Sequence, residues 1–187
     1  MCARNKYMSI LGLKRGTVKL SEHYDEWAKL FKKEKQLLFD KLGDNIIAIE
    51  HVGSTAVPSV PAKPLIDINV AVESIDDVAI NKFIEPLKKI GYTYMHKYPD
   101  RHFFAKGSEE KRTHHLNLVK MNSDSGWKDH IMFRDHLRRN ESSRNKYIKL
   151  KIKLAKQYPN DRPSYTKAKE EFIQEIIQRA KLETVSD

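Results

Sequence analysis

The apolar positions of this 187-residue chain follow two rhythms. Between residues 21 and 42, Tyr24, Trp27, Phe31 and Leu38 recur at helical spacing, which predicts an amphipathic helix with one apolar stripe. Ser21 stands where an N-cap is wanted and Gly43 where a helix stops. The rhythm then changes. NIIAIEHV, residues 45–52, is short and rich in β-branched residues and predicts a strand that Gly53 ends. PLIDINVAV, residues 64–72, predicts a second strand, in which Ile66, Ile68, Val70 and Val72 share one face and Leu65, Asp67, Asn69 and Ala71 the other. A helix follows over 76–90 with Phe83, Leu87 and Ile90 inward, and Pro86 is a kink or a break in it. GYTYMHKY and RHFFAKG predict two strands around Pro99-Asp100. A further strand over 113–121 sets His115, Asn117 and Val119 against His114, Leu116 and Leu118. After Trp127 the periodicity predicts helices over 127–139, 141–157 and 164–182, with PNDRPS as the connecting turn. This order predicts one α/β (α+β) domain: a mixed β-sheet flanked by helices, with a C-terminal helical layer. The first ten residues read as a flexible N-terminal extension.

Composition changes the picture in two respects. With a single cysteine and eight histidines, neither an internal disulfide nor a thiolate zinc site is available. No apolar run approaches the roughly 20 residues that span a bilayer, so no membrane anchor is expected, and the apolar patch near the start is too short and interrupted for a signal peptide to be expected. The expected compartment is the cytoplasm. The net charge is +10, and its excess is local: ten Lys/Arg against three acids lie between Lys128 and Lys156. Such a field suits an anionic partner. Its bland alternative is a solvated helix face, and no nucleic-acid recognition motif accompanies it, so nucleic acid is the less favoured partner.

Candidate chemistry concentrates in HVGSTAVPSVPAKPLIDIN, residues 51–69. A chain leaving a strand through Gly53-Ser54 can turn its backbone N–H groups toward an anion. Ser54 and Thr55 add hydroxyl donors, Lys63 adds a cation, and Pro58, Pro61 and Pro64 stiffen the loop without making it regular. Asp67 then interrupts an apolar strand. A carboxylate there needs compensation, from a nearby loop in the structural case or from a divalent metal and nucleotide phosphates in the functional one.

The same stretch resembles the signature of the GrpB family. The likeness extends through LGLKRGT, HYDEWAKLFKKEK, RHFFAKG, THHLNLV, FRDHLR and DRPSYTKAKEEFI, from about Leu11 to about Ala180. It implies a nucleotidyltransferase-like fold, whose superfamily pattern is a Gly-Ser or Gly-Gly pair, about a dozen residues, and a carboxylate on a strand. Gly53-Ser54 and Asp67 fit that pattern. A second carboxylate two positions later does not follow, because Asn69 stands there, and the neighbouring strand offers His115 and Asn117. The resemblance therefore implies a phosphate or nucleotide site at Gly53, Ser54, Thr55, Lys63, Arg101 and Lys106, with Asp67 and His115 as catalytic candidates. A divalent metal, magnesium or manganese, would rest on Asp67, Asn69, His51, His115 and Asn117, with zinc the alternative where imidazoles dominate. His115 is also a candidate general acid or base. The expected ligand is a nucleotide or another phosphorylated small molecule. Two outcomes remain open: transfer of a nucleoside monophosphate to an unknown acceptor, or a catalytically inactive phospho-ligand-binding module on the same fold.

Overall fold

A computed structural model describes residues 10–185, so the expected extension over residues 1–10 lies almost wholly outside the described residues. Its centre is a five-stranded mixed sheet. In chain order the strands are β1 (Ala48–Val52), β2 (Ile66–Val72), β3 (Tyr92–Tyr98), β4 (Arg101–Ser108) and β5 (Lys111–Lys120). In space they run β1-β2-β5-β4-β3, with β2 and β5 parallel and every other pair antiparallel. The helices are α1 (Tyr24–Leu42), α2 (Asp77–Lys89), α3 (Asp129–Arg139), α4 (Glu141–Gln157), α5 (Arg162–Lys167) and α6 (Glu170–Val185). The expected mixed sheet with flanking helices is thus the observed one. No helix among the described residues is long and apolar enough to cross a membrane.

Strand alternation divides the chemistry of the sheet. Ile66, Ile68, Val70 and Val72 of β2 and Leu116 and Leu118 of β5 pack with Trp27, Leu38 and Leu42 of α1 and Ile80, Phe83 and Leu87 of α2 in one core. Trp27 and Leu38 are fully buried there, and burying a large apolar side chain contributes roughly 1.5–3 kcal/mol. The opposite face carries Asp67 and Asn69, and α3 to α6 cover it. Two smaller apolar clusters close that layer. Val57 and Val60 of the proline loop meet Phe133, Leu137, Tyr147, Ile176 and Ile177, and Trp127 meets Ala71 and Val119.

Several boundaries differ from the sequence expectation. Helix α1 starts at Tyr24 with His23 at its N-cap position. Ser21 is not the cap: it bridges Ala62 through paired backbone hydrogen bonds of 2.8 and 2.9 Å, which tie the chain ahead of α1 to the proline loop. Pro86 sits within α2 without ending it. Asp76 caps α2 by accepting from the Ala79 amide at 2.7 Å. The predicted helix over 164–182 is two helices, α5 and α6, with Ala168 and Lys169 between them.

The basic stretch is not simply a solvated face. Arg134 is buried, and its guanidinium donates to Glu50 and to the His51 carbonyl, pinning α3 to β1. Arg138 donates to the Ala56 carbonyl at 3.0 Å, and Lys151 is fully buried.

Candidate functional site

The polar sheet face and the C-terminal helices enclose a cavity of about 390 Å³. Its floor is built from β2 and β5, whose parallel pairing sets Asp67 beside His115 and Asn69 beside Asn117. His115 Nδ1 donates to Asp67 Oδ1 at 2.9 Å, and Arg162 Nη2 approaches His115 Nε2 at 3.3 Å. The guanidinium can only donate, so Nε2 is the acceptor and the ring proton sits on Nδ1. Burial would raise the Asp67 carboxyl, but the His115 hydrogen bond and the charges of His115, Lys63 and Arg162 outweigh it and bring the group down to about 2. Burial lowers the His115 imidazole, and Arg162 and Lys63 add to that against the pull of Asp67.

Gly53 opens the loop side of the cavity with φ +70, in the left-handed region that suits glycine. A Cβ there would lie 2.7 Å from Asp67 Oδ2, so the glycine is what lets the loop backbone pass against the carboxylate. Ser54 begins a single 3₁₀ turn, Ser54–Ala56. Its Oγ lies 3.2 Å from the Tyr147 hydroxyl, which joins the loop to α4. Thr55 also reaches the cavity, yet its hydroxyl donates to the Leu65 carbonyl at 3.2 Å and pairs with His51 Nε2 at 3.0 Å. It therefore ties the loop together.

The cavity brings together Gly53, Ser54, Thr55, Lys63, Asp67, Arg101, His115 and Asn117 among the residues singled out by sequence. Three others do not reach it as expected. His51 faces away from Asp67, because its strand partner is Ile68, and it stacks on Phe31 of α1 at 4.6 Å. Burial brings its imidazole down to about 3. Lys106 is one residue out of phase with Arg101, Phe103 and Ala105, and so points to the other face. There it donates to Glu34 at 2.8 and 3.0 Å beside the Tyr92 ring. Asn69 is fully buried and committed: it accepts from Asn117 at 3.0 Å and donates to the Gly126 carbonyl and to His130 Nδ1, both at 2.9 Å.

The donors expected for a divalent metal consequently do not converge, and among the described residues no group of three or more His, Cys, Asp and Glu is placed to hold one. The charges nearest Asp67 are those of Lys63, Arg162 and Lys169, a surrounding that favours an anion over a cation. The residues present do not fit a metal held by the protein alone.

The helical layer contributes cations that the sequence pattern alone does not single out: Lys151 from α4, Arg162 from α5 and Lys169 from the α5–α6 break. Lys63 and Lys169 lie 5.4 and 4.3 Å from the centroid of the Tyr165 ring. Burial first, then Arg162 and Lys169, takes the Lys63 ammonium down to about 7. Burial likewise brings Lys169 down to about 8 and holds Lys151 well below the usual lysine range. A signal for Lys151 does exist in the sequence. It falls on the stripe of Tyr147 and Leu154 and breaks an apolar face just as Asp67 breaks β2, although the surrounding lysines hide it.

A second chamber of about 590 Å³ adjoins the first and shares Tyr98, Phe103, His115, Arg162 and Thr166 with it. His115 and Arg162 thus stand in the common wall. Arg101 also lines the first chamber, with its guanidinium 4.2 Å from the Tyr98 ring centroid and bonded to Asp100 at 2.8 Å.

Comparison with known proteins places this geometry in a lineage. The family profile described as GrpB protein matches residues 17–179. The glutamate-rich protein GrpB of Alkalihalophilus pseudofirmus is 41% identical over 174 residues, covering 90% of this chain and 98% of that one. The UPF0157 protein YqkA of Bacillus subtilis is 36% identical over 88% of this chain, which spans 47% of that protein's length. Among solved structures, the conserved protein GrpB from Enterococcus faecalis superposes with a TM-score of 0.79 at 33% identity, covering 90% of this chain and all of that one.

Proposed function

The chain belongs to the GrpB family, and from that premise we propose that it is a nucleotidyltransferase-like enzyme whose cavity holds a nucleotide or another phosphorylated small molecule. The observation that carries this reading is the convergence on one cavity of the Gly53-Ser54 loop, the Asp67–His115 pair and the cations Lys63, Lys151, Arg162 and Lys169. Cations that burial makes reluctant to keep their protons are matched by a ligand that brings negative charge. The dyad supplies the other requirement. Asp67 fixes the His115 proton on Nδ1, and Nε2, which accepts from Arg162 at 3.3 Å in the free protein, takes up a proton once Arg162 turns to the phosphoryl oxygens.

In this reading an acceptor in the adjoining chamber presents a hydroxyl at the common wall. Its oxygen attacks the α-phosphorus, a new P–O bond forms, the bond to the β-phosphoryl bridging oxygen breaks and pyrophosphate leaves. The acceptor proton passes to His115 Nε2. Lys63 and Arg162 offset charge that builds on the phosphoryl oxygens. No step here depends on a metal, in keeping with the donors around Asp67.

The commitment of Asn69 to Gly126 and His130 favours a second reading, a phospho-ligand-binding module without turnover, because no second carboxylate stands at that position. Incubation with α-labelled nucleoside triphosphates, with and without magnesium, manganese or zinc, separates the two. The transfer reading expects pyrophosphate release and label transfer that Asp67→Asn lowers by about 10²- to 10⁴-fold. Nucleotide-dependent thermal stabilisation without turnover under any of these conditions would select the binding module.

A further inference from the structure

The inner wall of the cavity carries a charge that the chain itself does not balance. Lys151 is 1% exposed, and its Nζ is a buried nitrogen without a hydrogen-bond partner among the described residues. The Tyr147 ring centroid lies 5.2 Å from the ammonium. Among the described residues, none of Lys63, Lys151, Lys169 and Arg162 makes an ion pair with a carboxylate, whereas the comparably buried Arg134 and the half-buried Lys106 both do. A lysine whose head group is buried and unpaired destabilises the fold that holds it, and methionine would fill the same space without that penalty. The side chain nevertheless points into a cavity lined by two further lysines. We propose that this inner end is a subsite for the terminal phosphoryl groups of a polyphosphate-bearing ligand, with Lys151 as its anchoring cation and Lys63 and Lys169, on the Tyr165 ring, completing it.

The inference rests on the reading that a phosphorylated molecule occupies the cavity, and it fixes which part of that molecule goes where. Charge balance argues for more than one phosphoryl group. Of the two carboxylates in the cavity wall, Asp129 is taken by Lys181 at 2.7 Å, which leaves Asp67 alone opposite Lys63, Lys151, Arg162 and Lys169; a single phosphate monoester carries about −1.5 to −2 at neutral pH and leaves the inner wall undercompensated. The choice of lysine fits as well. A compact ammonium acts on phosphate as a point charge and can shed its proton when no anion is bound, which guanidinium cannot. Burial, with Lys169 and Lys63 adding and Asp67 opposing, lowers Lys151 in that direction.

The test compares thermal unfolding and calorimetric titration with inorganic pyrophosphate, inorganic triphosphate and orthophosphate at matched ionic strength. Lys151→Met is the variant, and Lys153→Met, an exposed position on the same helix, is the control. Pyrophosphate and triphosphate are expected to bind more tightly than orthophosphate. K151M is expected to raise the unfolding temperature of the free protein while weakening pyrophosphate binding about tenfold, the loss of one charge-assisted contact, and K153M is expected to change neither. Opposite signs on stability and affinity are what a purely structural lysine would not give. A K151M protein that is less stable than its parent, or one that binds pyrophosphate as well as K153M does, overturns the proposal. Titrations in two buffers of different ionisation enthalpy give an independent reading: binding is expected to take up protons, and no uptake also overturns it. Nucleotide turnover without pyrophosphate binding would end this inference and leave the transfer reading standing. Pyrophosphate binding without turnover would do the reverse.

Discussion

Asp67 is fixed by two neighbours that act on it differently: Gly53 by leaving room and His115 by donating a hydrogen bond. Gly53→Ala therefore combines a left-handed backbone with a collision at Oδ2. A loss of about 1–3 kcal/mol is expected in urea unfolding, together with a changed His115 imidazole signal by NMR; an unaltered midpoint would show that the loop can move off the carboxylate at no cost. Asp67→Asn acts the other way on binding. It removes the carboxylate that opposes an incoming anion, so pyrophosphate affinity is expected to rise while any transfer activity falls by about 10²- to 10⁴-fold, the range for loss of acid–base assistance. Affinity and turnover moving together would contradict that division of labour. At this scale much was legible in the sequence. Asp67 and His115 declare themselves because each sits on the polar side of a strand, whereas grouping Lys106 with Arg101 in the phosphate site ignores the same parity, which sends Lys106 to Glu34. What parity cannot supply is the partner of each group, which is why Thr55 and Asn69 read as site residues and prove to be occupied by Leu65, His51, Gly126 and His130.

Elements place these residues through contacts that are distant in sequence. Strand β2 meets β5 in parallel only after α2, β3 and β4 have intervened, so the pairing that sets Asp67 beside His115 has no local signature. The break between α5 and α6 has none either. TKAKEE holds no glycine or proline, and its residues are adequate helix formers, yet packing divides the helix there and leaves Lys169 buried against the Tyr165 ring. Helix α5 is six residues long and depends on its cap. The Asp161 carboxylate accepts from the Ser164 amide at 3.1 Å and from the Ser164 hydroxyl at 2.6 Å. Asp161→Ala is expected to lower the urea midpoint through loss of the cap. It should also weaken pyrophosphate binding, because Arg162, Tyr165 and the approach to Lys169 all hang on that turn. The substituted side chain lies outside the cavity, so weakened binding would report the helix rather than a lost contact, and unchanged binding would show that Arg162 and Lys169 are held from elsewhere.

For the whole molecule, the inward-facing bases set the direction in which pH acts on stability, because stability rises with pH wherever the unfolded chain binds more protons than the folded one. On the acid side, burial lowers His51 from 6.5 to about 3 and His114 from 6.5 to about 4, the latter with Lys106 and His115 adding to burial and Glu34 opposing it. Both groups are neutral in the fold where the unfolded chain would be protonated, so their contribution to stability is complete above pH 6.5 and is lost as pH falls toward 4 and then 3. Asp67, lowered from 3.8 to about 2, adds a loss of the same sign below 3.8. On the alkaline side the lysines act. Lys63 releases its proton near pH 7 in the fold but only near 10.5 when unfolded, and Lys169 near 8, so the free protein is expected to gain stability from pH 7 through 9. The fall of the +10 net charge over the same range relieves self-repulsion and works in the same direction. Urea midpoints should therefore be greatest above neutrality, beyond the usual optimum between about pH 5 and 8. A bound polyanion reverses the alkaline slope, since it holds the lysines in their charged form: stabilisation by pyrophosphate should be largest near pH 7 and shrink as pH passes 8. Midpoints that decline from pH 7 to 9 in the free protein, or a pyrophosphate effect that grows across that range, would mean that the cavity lysines keep their protons and that their charge is balanced within the chain.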